Sequence, residues 1–211
     1  MDTTYRDRTE AGTVLADHLG HLAHRADVTV LGLVRGGVPV AAAVARRLAA
    51  PLDVLVVRKL GLPLAPELAF GAVGPGGVRV LNQQIAARLA PDEVEAVVRA
   101  ETAELRRREQ RYRADRPPLR LDDRIAVVVD DGLATGATAR AAVEVARTLG
   151  ARRVVFAVPV GAPEAYELLT RTADEVVCPH RPADFGAVSR FYDDFHEVSD
   201  EEVVAALTGE G

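Results

Sequence analysis

The chain has 211 residues, 48% of them hydrophobic and 27% charged, with a formal net charge of −5. That length buries one good core, so a single domain over residues 1–211 is expected, and the acidic balance argues against nucleic acid as the main partner. Cys178 is the only cysteine, which excludes an internal disulfide and fits a reducing cytoplasm, while the polar start and the lack of a long apolar run predict neither leader nor membrane span.

Residues Glu10 to Arg25 carry Val14, Leu15, Leu19 and Leu22 at helical spacing, with Thr9 as N-cap, and predict a covering helix. His18, His21 and His24 have no carboxylate cluster beside them and read as surface histidines rather than metal ligands. Val28 to Val34 is a buried strand that ends in Arg35-Gly36-Gly37, and Pro39 opens a helix reaching about Ala49. Two glycines after a strand let backbone N–H groups approach an anion closely, and Arg35 adds a forked cation. By itself that tripeptide is more often an ordinary tight turn. Leu52 to Val57 is the next strand, ending in Arg58-Lys59. Lys59 is the one lysine among 26 basic residues, and a compact, flexible ammonium suits a moving phosphate oxygen.

Gly61, Pro63 and Pro66 then break the pattern, and Glu67 to Val73 and Val78 to Leu81 can pair as a hairpin across Gly74 to Gly77. Glu67 is the only ionisable side chain between Lys59 and Arg79, and reads either as a functional loop carboxylate or as a solvated one. Asn82 to Leu89 and Asp92 to about Ala114 predict two helices divided by Pro91. On the second, Glu95–Arg99 and Glu104–Arg108 are favourable i,i+4 pairs. The arginine-rich run from Arg106 to Arg113 reads as a solvated, ion-paired face, with nucleic-acid contact as the alternative.

Ile125 to Val129 is an uninterrupted apolar run and predicts a buried parallel strand. Two carboxylates, Asp130 and Asp131, stand at its carboxyl end. The loop Gly132-Leu-Ala-Thr-Gly-Ala-Thr138 leads into a helix that stops at Gly150. Ala134, Thr135, Gly136, Ala137 and Thr138 therefore lie at a helix N-terminus, where free N–H groups and the positive end of the dipole favour a phosphate. The carboxylates repel phosphate and suit sugar hydroxyls or a divalent cation beside it. This one turn calls for a phosphorylated sugar with a metal.

Arg153 to Val158 is a further strand, Pro163 to Leu169 a short helix and Glu175 to Cys178 a last strand. From residue 28 onward the order is β-α-β, excursion, β-α-β-α-β, an α/β alternation that builds an open parallel sheet with helices on both faces. Pro179 to Ser199 is irregular and holds Phe185, Phe191, Tyr192, Asp193, Phe195 and His196. Its aromatics either stack on a ligand or fasten the tail to the sheet. Ser199 or Asp200 caps a final helix to Leu207.

The strand, Asp130-Asp131 and Thr135-Gly-Ala-Thr138 together resemble the phosphoribosyl pyrophosphate (PRPP) motif of the type I phosphoribosyltransferases; Gly132 stands where an apolar residue is more usual. The resemblance covers roughly residues 28–60 and 124–178. It implies a Rossmann-like fold with an inserted hairpin and long helix (about 61–118) and a small hood over about 179–199. It also implies transfer of a phosphoribosyl group from PRPP to a nitrogen acceptor with Mg²⁺. In that reading Asp130 and Asp131 face the ribose and the metal, the latter through ribose hydroxyls or water, and residues 134–138 hold the 5′-phosphate. Arg35, Gly36, Gly37, Arg58 and Lys59 take the pyrophosphate, with Arg35 and Lys59 serving the leaving group. Phe191, Tyr192 and Asp193 would receive the acceptor, and Glu67 would lie on a mobile loop closing over the centre. The family often forms homodimers. The alternatives are a PRPP- or nucleotide-binding regulator of the same fold, or a related pyrophosphate-transfer or phosphatase chemistry.

Overall fold

The computed structural model describes residues 4–62, 65–113 and 116–209, without the side chains of Pro66 and Glu67. The loop candidate Glu67 thus has its side chain outside the described residues, as does Ala114, the expected helix end.

Helix α1 (Arg8–Asp17) is shorter than its apolar spacing suggests. Asp7, not Thr9, is the N-cap and accepts from the Glu10 N–H at 2.8 Å. The chain leaves the helix at His18 and makes a 3₁₀ turn at Gly20–Leu22, which carries Leu22 into the core where continued helix was expected. Strand β1 (Val28–Leu33) is buried along its whole length and feeds α2 (Gly37–Leu48), which ends on a left-handed Ala49. Strand β2 (Leu52–Leu55) stops two residues before its expected end.

Arg58 and Lys59 consequently do not close β2. They open β3 (Arg58–Leu62), which pairs antiparallel with β4 (Ala65–Val73), itself paired with β5 (Arg79–Leu81). The excursion is a three-stranded sheet rather than a two-stranded hairpin, because Leu60 and Phe70 are fully buried under helix α4. Asn82 caps the one-turn α3 (Gln83–Ala86) and Pro91 starts α4 (Pro91–Arg113), which lays Val94, Leu105 and Tyr112 on the small sheet. Arg113 anchors the end of α4 to β2 through Asp53, at 2.9 and 3.0 Å.

Then follow β6 (Ile125–Val129), α5 (Ala137–Thr148), β7 (Arg153–Ala157), α6 (Pro163–Leu169), β8 (Glu175–Val177) and α7 (Asp200–Thr208), the last opened by a Ser199–Glu202 capping box. The main sheet is parallel, in the order β2-β1-β6-β7-β8. Alternate residues feed two cores. Leu31, Val128, Val154 and Phe156 face α5 and α6, while Val30, Val127, Val129 and Val155 face α1 and α2. Purely apolar strands arise because both faces are covered.

Two features position the site. Strands β1 and β6 are neighbours, yet β2 lies on one side of the pair and β7 on the other. A crevice must open above their carboxyl ends, where ligands bind in such sheets. Over it, the N-terminal segment bridges to the C-terminal one: the Tyr5 N–H donates to Phe191 O, and the Asp193 N–H to Tyr5 O, both at 2.8 Å. Tyr5, Phe185, Phe191 and Tyr192 form the small core of this cap.

Candidate functional site

Strand β6 delivers Asp130 and Asp131 to the crevice, and β1 delivers Arg35-Gly36-Gly37 beside them. The fit is tight. A β-carbon on Gly36 would stand 2.2 Å from Asp131 Oδ2, and one on Gly37 would stand 2.5 Å from Val129 O and 3.0 Å from Asp130 Oδ1. Glycine is thus required at both positions by close approach. The loop enters α2 with a cis Val34–Arg35 peptide bond.

The acidic pair is buried, and Arg8 is the cation that meets it. Burial, then the neighbouring Asp131, pushes the Asp130 carboxyl well above the usual carboxylate range. Burial also raises Asp131, opposed by Arg8. Asp130 Oδ1 accepts the Asp131 N–H at 2.9 Å. Arg8 donates Nε to Asp131 Oδ2 at 3.0 Å and holds a second nitrogen 2.9 Å from that oxygen. No side chain among the described residues pairs with Oδ1 of Asp131.

Thr135 and Thr138 are exposed, and Gly136, at φ 77°, is the N-cap of α5 with no side chain capping the first turn. With Ala134 and Ala137 they leave the amide end of a twelve-residue helix without a side-chain cap.

The cations are distributed differently from the strand-end picture. Arg35 is engaged by Glu197 and lies 3.8 Å from Asp200, both from the C-terminal segment. Arg58 is turned onto α4, where its Nε donates to Glu101 at 2.7 Å. Lys59 has no hydrogen bond or ion pair among the described residues. It pairs in register with Ala72, which pairs with Val80, and Val80 packs on the core of α5. Residues opposite one another share a face. Lys59 therefore lies on the α5 side of the small sheet, and Arg58 on the α4 side.

Phe191 and Tyr192 are 4% and 6% exposed. Phe191 stacks on Phe185 at 5.5 Å between ring centroids, and Tyr192 packs between Tyr5 and Phe195. Their rings pack within the cap; Asp193 is exposed. An open cavity of 370 Å³ instead adjoins Arg8, Arg35, Gly36, Asp131 and the segment Phe195–Val198.

Arg8 was not legible as a site residue. Its one sequence signal is a local conflict, a cation in the first turn of a helix whose dipole favours anions there. The arginine run of α4 is largely neutralised: Arg107 and Arg108 bind Glu104, Arg111 binds Asp200 and Glu201, and Arg113 binds Asp53. Cys178 is buried and burial pushes its thiol up to about 12, so packing explains it. No helix among the described residues is long and apolar enough to cross a membrane.

The phosphoribosyl transferase domain family matches residues 8–196. Two Mycobacterium tuberculosis proteins that carry phosphoribosyl transferase in their names are each 54% identical over 205 residues, which is 96% of this chain and 46% of theirs. The chain thus spans about half the length of these relatives. The solved structure of TT1426 from Thermus thermophilus superposes with a TM-score of 0.89 at 48% identity, covering 98% of this chain and 99% of that one. AQ2163 from Aquifex aeolicus superposes with a TM-score of 0.51 at 13% identity, over 95% and 84% of the two chains, a likeness of fold alone.

Proposed function

The chain belongs to the phosphoribosyl transferase family, and from that premise we propose that it moves the phosphoribosyl group of PRPP onto a nitrogen acceptor, a nucleobase-like molecule, with release of pyrophosphate. The carrying observation is the adjacency of three unlike groups at one sheet edge: an uncapped helix N-terminus, a crowded carboxylate pair and a glycine loop with Arg35. Each matches one part of the donor: 5′-phosphate, ribose and pyrophosphate.

The Thr135–Thr138 loop holds the 5′-phosphate through amides and hydroxyls. Asp130 and Asp131 accept from the ribose hydroxyls and favour the positive charge that develops on the sugar as the bond from C1 to pyrophosphate breaks and the bond to nitrogen forms. Arg35, Lys59 and the amides of Gly36 and Gly37 take up the charge that leaves on pyrophosphate. Arg35 must exchange Glu197 for that ligand. Arg58 supports this corner by holding β3 to α4 through Glu101.

The donor set fits Mg²⁺: it offers hard carboxylate oxygens, and burial raises both acids, Asp130 further because Asp131 stands beside it. No group of three or more ligating side chains stands together among the described residues, so Asp130 and Asp131 would hold the ion jointly with ribose hydroxyls, water and substrate phosphates. When bound, it supplies charge neutralisation to the leaving pyrophosphate. The acceptor reaches the cavity beside Phe195–Val198, with Asp193 at the rim of the cap. The reading also includes a cytoplasmic location and a homodimer.

Isothermal calorimetry with PRPP, with and without Mg²⁺, tests the donor site. Metal-dependent binding is expected in the wild type and its loss in the Asp130→Asn/Asp131→Asn double variant, with folding intact. Unchanged binding in the variant would refute the assignment. Pyrophosphate release across a panel of bases then separates catalysis from a purely regulatory use of PRPP.

A further inference from the structure

We propose that Arg8 and Tyr192, contributed by the two ends of the chain, are positioning residues that lock Asp131 in the geometry the donor ribose requires. The proposal rests on the reading of Asp131 as a ribose contact.

Asp131 sits beyond the end of β6, so no sheet ladder fixes it. Three contacts do so instead. Arg8 puts two nitrogens on the same oxygen, Oδ2, at 3.0 and 2.9 Å. The Tyr192 hydroxyl donates to the backbone carbonyl of Asp131 at 2.6 Å. Gly36 closes the remaining side, since it leaves no room for even one more carbon against Oδ2. One carboxylate oxygen is thereby engaged and the other, Oδ1, is left for a ligand.

The holders are themselves held. Arg8 is 7% exposed, donates its third nitrogen to His196 O at 2.9 Å, and lies with its guanidinium carbon 4.0 Å from the centre of the Phe195 ring. A planar fork with all three nitrogens and one face engaged has little freedom left. Tyr192 is packed between Tyr5 and Phe195. The strap that pairs Tyr5 with Phe191 and Asp193 fixes both residues relative to each other. The cap therefore does more than cover the crevice. It carries the hydrogen-bond donors that set one of the two ribose carboxylates, from positions 123 residues before and 61 residues after it in sequence.

The test uses the full chain with two conservative variants. Tyr192→Phe removes one hydroxyl and keeps the ring. Arg8→Lys keeps the charge and loses the fork. Calorimetry with Mg²⁺ and PRPP is run beside calorimetry with inorganic phosphate, which needs the helix and glycine loops but no carboxylate. Each variant is expected to weaken PRPP by about tenfold, the loss of a hydrogen bond in the network of a charged group, while phosphate binding stays within about twofold. Should Arg8→Lys fail to fold, Tyr192→Phe alone decides. Wild-type affinity for PRPP in folded variants, or an equal loss for PRPP and phosphate, would overturn the positioning role and leave the donor reading standing. Failure of the wild type to bind PRPP would overturn both.

Discussion

Asp130 illustrates a conflict between stability and ligand binding inside one side chain. Burial and the charge of Asp131 raise its folded pKa above the unfolded one, so between those two values the native state binds the proton more readily. Stability then falls as pH rises from the ordinary carboxylate range through the raised value. Asp130→Asn removes that penalty. It is expected to raise the melting temperature of the ligand-free protein at pH 7 and flatten its pH dependence, while impairing PRPP binding; melts over a pH series check this. Gly36 is the opposite case. Gly36→Ala inserts a methyl 2.2 Å from Asp131 Oδ2, and overpacking of this kind costs about 1–3 kcal/mol. Denaturant titration should register that loss, and the shifted carboxylate should lower PRPP affinity as well. The first case was readable in sequence as two adjacent acids. The second was only half readable, because Gly36 and Gly37 announce a close approach but not what is approached.

Among the elements, the strand–loop–helix of β6 and α5 is the one whose local rules all agree: an all-apolar strand, small loop residues and an uncapped helix start. Element α4 behaves otherwise. Its arginine run has no single meaning in sequence, since pairing with Asp53, Asp200 or Glu201 depends on which strand and helix lie beside it. Arg113 is nearly buried against Asp53, and removing one partner of such a pair leaves an uncompensated charge. Arg113→Met should cost about 3 kcal/mol, somewhat relieved by Arg116 at 3.6 Å, and loosen α4 from β2. Hydrogen exchange along α4 together with a denaturant melt would show it. The capping box of α7 supplies a smaller control: Ser199→Ala should cost about 1 kcal/mol. A drop of about 2–4 °C in melting temperature is expected for a chain of this size. The early end of β2 and the third strand of the small sheet escaped the sequence because Leu60 is a single buried residue in a stretch rich in glycine and proline.

At the scale of the whole molecule, the two sheets, the helices and the cap share buried clusters, and the chain is expected to unfold in one cooperative step. Coincident loss of far-UV and near-UV circular dichroism would check this, and two separated transitions would argue that the small sheet and α4 form a unit of their own. Sequence pattern alone sufficed for the parallel α/β order and for the strand–loop–helix that carries Asp130, Asp131 and Thr135 to Thr138. Those features rest on periodicity, adjacency and helix-end chemistry, each read within a short run of consecutive residues. Only the tertiary structure decided that Arg58 faces Glu101, that Phe191 and Tyr192 lie within the cap, and that Arg8 grips Asp131. These depend on contacts between residues 43 to 187 positions apart. The direction of a side chain at a strand end, or in a cap made from both chain ends, is set by the neighbour it meets, and local pattern carries no record of that neighbour.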